Sequence, residues 1–477
     1  MKILSRFPTL LGWLMVAAQS FASVGPDYVR PTNDIPNAFA TNNLGTWQVA
    51  HPSDAVPKGN WWSVFRDSQL DALESRAGTN NQDLKAALAR LEQARANTRV
   101  ARSEFFPAIS LDPSFSRTRY SPNGELIYPS RAINDVKVPF DLSYEIDFWG
   151  RIRRSVEAAT RDAEARAAAF ESFRLALHAE VAQEYFSWKA TEAELDTLQR
   201  TLGFRREAKE LVQARFEAGA ANELEFARAE TELASVAADL AAIERRRAEF
   251  KNSLAVLLGA PAPTFLLEVG PLPIDVVPPS IPPGLPSDLL ERRPDIAEAE
   301  RDLAARNARI GVAKAAFFPT VRLTGMFGWE SADTDLLFDW HSRIWSLGPS
   351  VTLPIFQGGR NRANLRRAQA AYDEGVANYR GQVLTAFREV QDSLLGLHWL
   401  HVQSDAVAKV VEAARRTASL SKTRYESGFA TYLEVVESER TRLAAERQLA
   451  QLAGQRLVVT VQLIKALGGG WDVRAEK

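Results

Sequence analysis

Cysteine is absent from this sequence of 477 residues. Disulfides, thiolate metal sites, cysteine nucleophiles and thioether lipidation of a mature N-terminus are therefore excluded. Histidine is scarce, with 5 residues, and the chain has none of the short motifs typical of P-loops, zinc proteases, serine hydrolases or EF-hands. These absences predict a protein that is not an enzyme and holds no cofactor.

Excess charge and long apolar segments are also lacking. The net charge of −1 gives no electrostatic reason to expect a nucleic-acid partner. His398 and His401 lie about one helical turn apart, but without a nearby acidic or thiol partner we expect surface residues and no metal site. No segment of the mature chain is apolar enough for a spanning helix, so membrane contact must come from strands or amphipathic faces.

The N-terminus has the pattern of an export signal. A basic start precedes an apolar run at 10–18, and Ser20 and Ala22 are small residues at the positions that a signal peptidase reads. The run is about half of the roughly 20 residues that a spanning helix needs. We therefore predict a signal peptide at 1–22, cleavage between Ala22 and Ser23, and no lipid anchor because no cysteine is available.

The mature chain contains an internal duplication. The turn Phe216-Glu217-Ala218-Gly219 matches Tyr425-Glu426-Ser427-Gly428, and Gly150-Arg151 matches Gly359-Arg360 at the same offset of 209 residues. Each repeat is predicted to hold one helix, two strands and two long helices. The predicted organisation is signal peptide 1–22, N-terminal extended segment 23–64, repeat 1 at 65–259, Pro-rich linker 260–286, repeat 2 at 287–469 and C-terminal tail 470–477.

Two proline-free stretches, 140–260 and 355–477, are rich in strong helix formers. A helix over 151–216 would extend roughly 100 Å, and such a rod needs partner helices. The following residues step by three and four, as in a coiled-coil seam: Leu233, Val236, Leu240, Ile243, Arg247, Phe250, Leu254 and Leu257. At Arg247 and its duplicate Arg456 we expect a hydrated interruption, with snorkelling or pairing to a neighbouring helix as the alternatives.

Strictly alternating segments predict strands with one apolar face. The residues expected to face lipid are Val138, Phe140, Leu142, Tyr144, Val351 and Leu353. The alternative, common for alternating strands, is a soluble sandwich in which this face packs on protein. Because the long helices leave no obvious layer to cover the sheet, we favour lipid. Pro139 and Pro354 interrupt the runs and predict a bulge or a strand end.

Several motifs resemble those of a known family. They are Gly25-Pro26-Asp27-Tyr28, Trp61-Trp62 with Phe65, Arg292-Arg293-Pro294-Asp295-Ile296 and the paired aromatic-Glu-x-Gly turns. Across essentially the whole mature chain, the sequence is similar to the TolC-like outer-membrane factors of the NodT type. The resemblance implies an α+β membrane channel in which long coiled-coil helices form an α-barrel of 12 helices. Four strands per protomer would contribute to a homotrimeric 12-stranded β-barrel.

The same resemblance implies a passive efflux channel for small molecules or drugs. It would lie in outer-membrane lipid, with a tunnel in the periplasm, and work with a periplasmic membrane-fusion adaptor and an inner-membrane RND-type pump. The family often has a lipid-bearing cysteine where Ser23 stands here. The alternatives are a type I protein secretion channel and a periplasmic coiled-coil scaffold without a pore.

Candidate gate residues follow from the resemblance. It implies that Gly219 and Gly428 lie at turns of the periplasmic tunnel tip. Glu434 and Glu437, one helical turn apart, match positions where TolC-like channels carry gate carboxylates, and Tyr425 would supply contacts that hold the tip shut. The alternative is an ordinary solvated helix face, since acids at this spacing are common.

Overall fold

The computed structural model describes residues 23–32, 59–121, 123, 132–273, 275–279, 281 and 292–469. The predicted signal peptide with Ala22, and the predicted tail at 470–477, lie outside these residues. The α-helices of the described residues are α1 (Ser68–Asn80), α2 (Gln82–Ser103), α3 (Arg151–Glu217), α4 (Glu223–Leu257), α5 (Pro294–Ala315), α6 (Arg360–Glu426) and α7 (Tyr432–Ala466). The strands are β1 (Ala108–Leu111), β2 (Ser114–Thr118), β3 (Ile133–Ile146), β4 (Thr320–Ser331) and β5 (Arg343–Thr352).

The long helices have equal lengths in the two halves of the chain. Helices α3 and α6 each contain 67 residues, and α4 and α7 each contain 35. At about 1.5 Å per residue, α3 and α6 are each roughly 100 Å long, as the proline-free sequence predicts. In the described residues, no helix is both long enough and apolar enough to cross a membrane.

Ahead of the strands, two helices occur where the sequence suggested one. The break is at Asn81, whose backbone is extended, with a ψ of 129°. Its side-chain oxygen accepts a hydrogen bond from the backbone N–H of Leu84 at 2.8 Å and so caps α2. Its side-chain nitrogen donates to the carbonyl of Leu257 at 3.0 Å, which ties this corner to the end of α4.

The strands form one antiparallel sheet in the order β1/β2, β3, β4, β5. Strands β1 and β2 pair with β3 in a single continuous register, so they are one strand interrupted at 112–113. The interruption faces Pro139, and neither Pro139 nor Pro113 has a backbone N–H to donate to the ladder. The carbonyl of Pro139 still accepts from the N–H of Asp112 at 3.2 Å. Pro139 therefore marks a break on the β1/β2 side only, because its pairing with Gly328 of β4 is uninterrupted.

The register gives the sheet one continuous apolar face. That face carries Ile109, Leu111, Phe115, Val136, Val138, Phe140, Leu142, Tyr144, Ile146, Val321, Leu323, Phe327, Trp329, Trp345, Leu347 and Val351. The opposite face carries Asp141, Glu145 and Arg322 among other polar residues. Leu353, which was expected on the same strand face, lies one residue beyond β5, because the chain leaves the ladder ahead of Pro354.

The described parts of the chain form two compact units, each of which draws on both halves of the sequence. The first unit takes in the described residues within Met1–Thr32, Arg90–Ala167 and Glu298–Arg380 and contains the sheet. The second takes in the described residues within Asn33–Ala89, Ala168–Ala297 and Gly381–Lys477. A core cluster of the second unit joins α3, α4 and α7. Its buried members are Leu195, Leu198, Val236, Ile243 and Leu443.

Arg247 corrects the expectation of a hydrated interruption in the seam. Its Nε lies 2.7 Å from Glu192 Oε1 on α3, and its Nη1 lies 3.1 Å from Glu244 on its own helix. The side chain thus pairs with the neighbouring helix, which was the less favoured alternative. A long flexible stem allows an arginine at a seam position to keep its charge at the edge of the interface.

Within the first unit, residues 23–30 form a strap against α3 and α5. The backbone N–H of Val24 donates to Trp149 O at 3.0 Å, and Arg154 Nη2 lies 2.8 Å from Asp27 Oδ1. Gly25 and Gly311 make a backbone crossing with no space for a side chain on either residue. The strap shows how this segment is held in a chain that has no cysteine to acylate.

We expect Gly311→Ala to release the strap. A Cβ at Gly311 would lie 2.8 Å from the carbonyl oxygen of Val24, which is backbone and cannot move aside cheaply. Chymotrypsin should then cut after Tyr28 faster than in the wild type, as followed by mass spectrometry. The matched control is Gly381→Ala in α6, where a Cβ meets nothing within 4 Å and helix propensity favours alanine. Equal cleavage of both variants would contradict the crossing.

Candidate functional site

Within each pair of long helices, the two helices are joined by a turn that contains one of the predicted tip glycines. Gly219 has a φ of 73° and Gly428 a φ of 79°, a left-handed conformation that glycine adopts without Cβ strain. The residue after each glycine donates a backbone hydrogen bond to a carbonyl five residues earlier, as in a Schellman motif. These bonds join Ala220 to Arg215 at 2.7 Å and Phe429 to Arg424 at 2.8 Å. The duplicated sequence therefore builds the same turn twice.

The two predicted gate acids share one groove between α6 and α7. Glu434 lies 3.7 Å from Arg424, and Glu437 lies 3.7 Å from Arg440. Both acids are largely exposed, so these long ion pairs contribute little to stability. The rest of the groove is lined mainly by small side chains, including Ala414, so both carboxylates remain accessible.

Tyr425 lies at a contact among four helices. Its ring is 5.6 Å from that of Tyr432, and the guanidinium of Arg215 is 4.8 Å from the Tyr425 ring centroid. The surrounding apolar cluster combines residues of α3, α4 and α7. Its buried members are Val212, Ala229, Tyr432 and Val436. Burial raises the pKa of the Tyr432 hydroxyl above its ordinary value, so Tyr432 stays neutral in this contact.

Next to this cluster lies a charged triad that the sequence analysis missed. Glu232 on α4 is buried and lies 3.2 Å from Arg205 Nη2 on α3. Arg440 on α7 also pairs with Glu232, and this hydrogen bond raises the pKa of Arg440. The Arg205 side chain is only 1% exposed. One carboxylate thus joins both helices of the first pair to α7 of the second.

The spacing of apolar residues along α3 and α4 contains a signal for this triad. Arg205 follows Leu198 by seven residues and precedes Val212 by seven, so it occupies an apolar seam position. Glu232 lies between Ala229 and Val236 at steps of three and four. Two opposite charges on facing seams predict a buried pair, because a single buried charge would be strongly unfavourable.

His398 and His401 are exposed, as the sequence analysis expects. His401 lies 3.6 Å from Asp405, with both side chains largely exposed, and the ring of His398 contacts Trp399. Across the part of the chain that the structure describes, no group of three or more His, Cys, Asp or Glu side chains is arranged to hold a metal ion.

Long paired helices, glycine turns at their ends and a sheet with one apolar face define a class, that of channels built from helices and membrane strands. The comparisons with known proteins identify the family. The model of the family described as "Outer membrane efflux protein" matches residues 73–260 and 285–469. The chain belongs to this family.

Curated relatives match along nearly their whole length. Outer membrane protein OprJ of Pseudomonas aeruginosa is 35% identical, covering 94% of each chain. The toluene efflux pump outer membrane protein TtgI of Pseudomonas putida is 36% identical, covering 94% of this chain and 96% of its own. Among solved structures, the outer-membrane channel OprN superposes with a TM-score of 0.85 at 29% identity, covering 94% of this chain and all of the other.

The predicted class and function are confirmed. The protein is an outer-membrane efflux channel and not an enzyme. Proteins of this family form trimeric channels that work with periplasmic adaptors and inner-membrane pumps, as the resemblance implied. The coiled-coil scaffold without a pore is excluded. The predominance of long helices with a few strands agrees with the solved channels.

We expect Glu232→Gln to destabilise the helix contact by about 3 kcal/mol or more, because it leaves Arg205 buried without a counter-charge. Thermal unfolding of the purified protein in detergent, followed by circular dichroism, measures the loss. Glu437→Gln is the control, since Glu437 is 62% exposed and its ion pair is long. A melting temperature for Glu232→Gln equal to that of the control would refute the buried role of the triad.

Proposed function

We propose that three copies of the sheet close a 12-stranded β-barrel in the outer membrane, and that the long helices of three copies form a 12-helix tunnel in the periplasm. The duct is passive and releases small molecules delivered by an inner-membrane pump through an adaptor. The observation that carries the proposal is the continuous apolar face of a sheet with open edges.

The dimensions of the apolar face suit a bilayer. From Val136 to Ile146 on β3 there are ten steps, or about 33 Å at roughly 3.3 Å per residue. With strands tilted by about 40°, this corresponds to an apolar band roughly 25 Å tall, as in outer-membrane barrels. Aromatic residues flank this band at the end of the strands that adjoins the helices. There Trp149 stacks on Phe318 at 4.7 Å, and its Nε1 donates to Pro319 O. Such pairs are typical of an interfacial girdle.

The strand count supports the trimer. In the described residues, β3 and β4 each have neighbours on both sides, whereas the β1/β2 strand and β5 each pair on one side only. Unpaired backbone groups are untenable in hydrocarbon, and a closed barrel needs about eight strands or more. Three copies of four strands meet both requirements, with the polar face turned to a water-filled lumen.

The repeat boundaries at 65–259 and 287–469 belong to the same proposal. They are supported by the two matched segments of the family model and by the equal lengths of the paired helices. Cleavage between Ala22 and Ser23 stays a prediction. The strap then begins at or next to the mature N-terminus and holds it against the first unit without an acyl chain.

The cargo we propose is small organic molecules or drugs. TtgI is named for toluene efflux, whereas CusC of Escherichia coli, which is 31% identical, is named for cation efflux. With no cysteine and 3 methionines, this chain has few of the soft ligands that select copper-like cations. A protein secretion role, the remaining alternative, has no residue in its favour here.

The gate we propose lies at the glycine turns. Glu434 and Glu437 would form two stacked rings of three carboxylates under trimer symmetry and bind cations when the tip is closed. The corresponding residues of the first repeat are Glu225 and Arg228, so only the second helix pair offers two acids. The contacts between helices around Tyr425 would hold the tip shut.

The lipid-facing assignment predicts unequal effects of arginine along the strands. Leu142→Arg or Val351→Arg should cost on the order of 2–4 kcal/mol at mid-bilayer. Ser143→Arg is the matched control because it lies on the opposite face, next to Leu142. The yield of assembled trimer from outer membranes, resolved on non-denaturing gels, measures the effect. Equal losses for the three variants would reject the assigned faces.

The gate proposal predicts a change in ion conduction. In planar bilayers, the double variant Glu434→Ala with Glu437→Ala should weaken block by divalent cations and lower cation selectivity, because both carboxylate rings are removed. Glu225→Ala is the control from the duplicate position in the first repeat. Unchanged block and selectivity in a correctly assembled double variant would remove these acids from the gate.

A further inference from the structure

The connection between β4 and β5 is an ordered loop at the end of the sheet remote from the helices. Short turns of 3₁₀ helix form at Thr334–Leu336 and at Trp340–Ser342. The Ser342 hydroxyl donates to Leu336 O at 2.7 Å, which closes the loop across its base. Asp339 Oδ1 accepts from the backbone N–H of His341 at 2.8 Å. These bonds give the loop a fixed conformation.

Three large apolar side chains of this loop are exposed. Leu336 is 56%, Phe338 69% and Trp340 70% exposed, whereas Leu337 between them is buried. The Phe338 ring meets Trp329 edge to face at 5.6 Å, and Trp329 lies on the apolar face of β4. The loop therefore continues the apolar face beyond the last residue pair of the sheet.

Two arginines lie on the apolar face at this end of the sheet, near the ends of their strands. Arg343 on β5 lies opposite Trp329, and its Nε donates to Trp340 O at 2.7 Å. Arg117 on β2 lies opposite Asn134, on the other edge of the sheet. Neither arginine forms an ion pair with any residue that the structure describes. Arginine on a lipid face is tolerated near the interface, where an anionic group can meet it.

We propose that this surface, consisting of Leu336, Phe338, Trp340 and Arg343, docks a phosphorylated glycolipid of the outer leaflet. The apolar side chains receive its acyl chains, and the Arg343 guanidinium binds a phosphate. The proposal rests on the barrel of the proposed function. Closure of that barrel would set β5 beside the β1/β2 edge of the next copy, which is the edge that carries Arg117.

Chemistry favours a lipid over a protein partner. The surface continues the face assigned to hydrocarbon, and its aromatic residues end beside a cation, an arrangement suited to the boundary between acyl chains and phosphates. Guanidinium binds phosphate through paired, charge-assisted hydrogen bonds, which distinguish a phosphate from a neutral headgroup. A glycolipid with two phosphates would offer one to Arg343 and, across the seam of the proposed barrel, a second to the edge that carries Arg117.

The test is a titration of the purified trimer with diphosphoryl lipid A, with bound lipid counted by native mass spectrometry. Up to three lipid A molecules per trimer are expected, with phosphatidylglycerol failing to compete. Arg343→Gln should weaken binding about tenfold through loss of a charge-assisted contact, and Phe338→Ser with Trp340→Ser should also weaken it. Arg322→Gln, on the opposite face of the same sheet, is the control.

Two results would overturn the proposal. They are equal lipid A binding by wild type and Arg343→Gln, and equal binding of phosphatidylglycerol. Conductance of each preparation separates this failure from that of the proposed function. A trimer that conducts normally without preferring lipid A rejects the lipid site alone, whereas a wild-type protein that forms neither trimer nor conducting channel rejects both.

Discussion

Backbone amides in hydrocarbon must find hydrogen-bonding partners within the protein, and the rest of this architecture depends on that constraint. A chain that contributes four strands cannot pair the backbone groups of its own edge strands. In the proposed barrel, oligomerisation and membrane insertion therefore depend on each other. The apolar face, the polar face and the edge strands then acquire their roles together.

Much of the fold could be predicted because its signals are periodic. Alternation over β3 and the absence of proline across α3 each repeat many times, so single exceptions do not hide them. The helix break at Asn81 and the pairing of Arg247 with Glu192 each depend on single side-chain contacts, including the bond from Asn81 to Leu257. Periodicity carries no information about such single contacts.

The candidate site also contains residues that the sequence predicts and residues that it does not. Gly219 and Gly428 were found because the turn is duplicated and its backbone requires glycine. The Arg205–Glu232 pair has no counterpart in the second repeat, where Ala414 and Thr441 stand at the matching positions, so the comparison of repeats that revealed the turns could not reveal it. Ion pairs with a buried carboxylate occur in both helix pairs, as at Arg442 and Glu446 in the second, but their positions differ between the repeats. Such differences are invisible to a search for matching motifs.

The strap at the N-terminus has a consequence for how the chain folds. Asn307 Nδ2 donates to Pro26 O at 2.9 Å across 281 residues of sequence, and closing so long a loop is entropically costly and slow. The first residues to leave the inner membrane are thus among the last to reach their partners. During that interval the segment is open to proteases, so its protection from cleavage reports whether the first unit is complete.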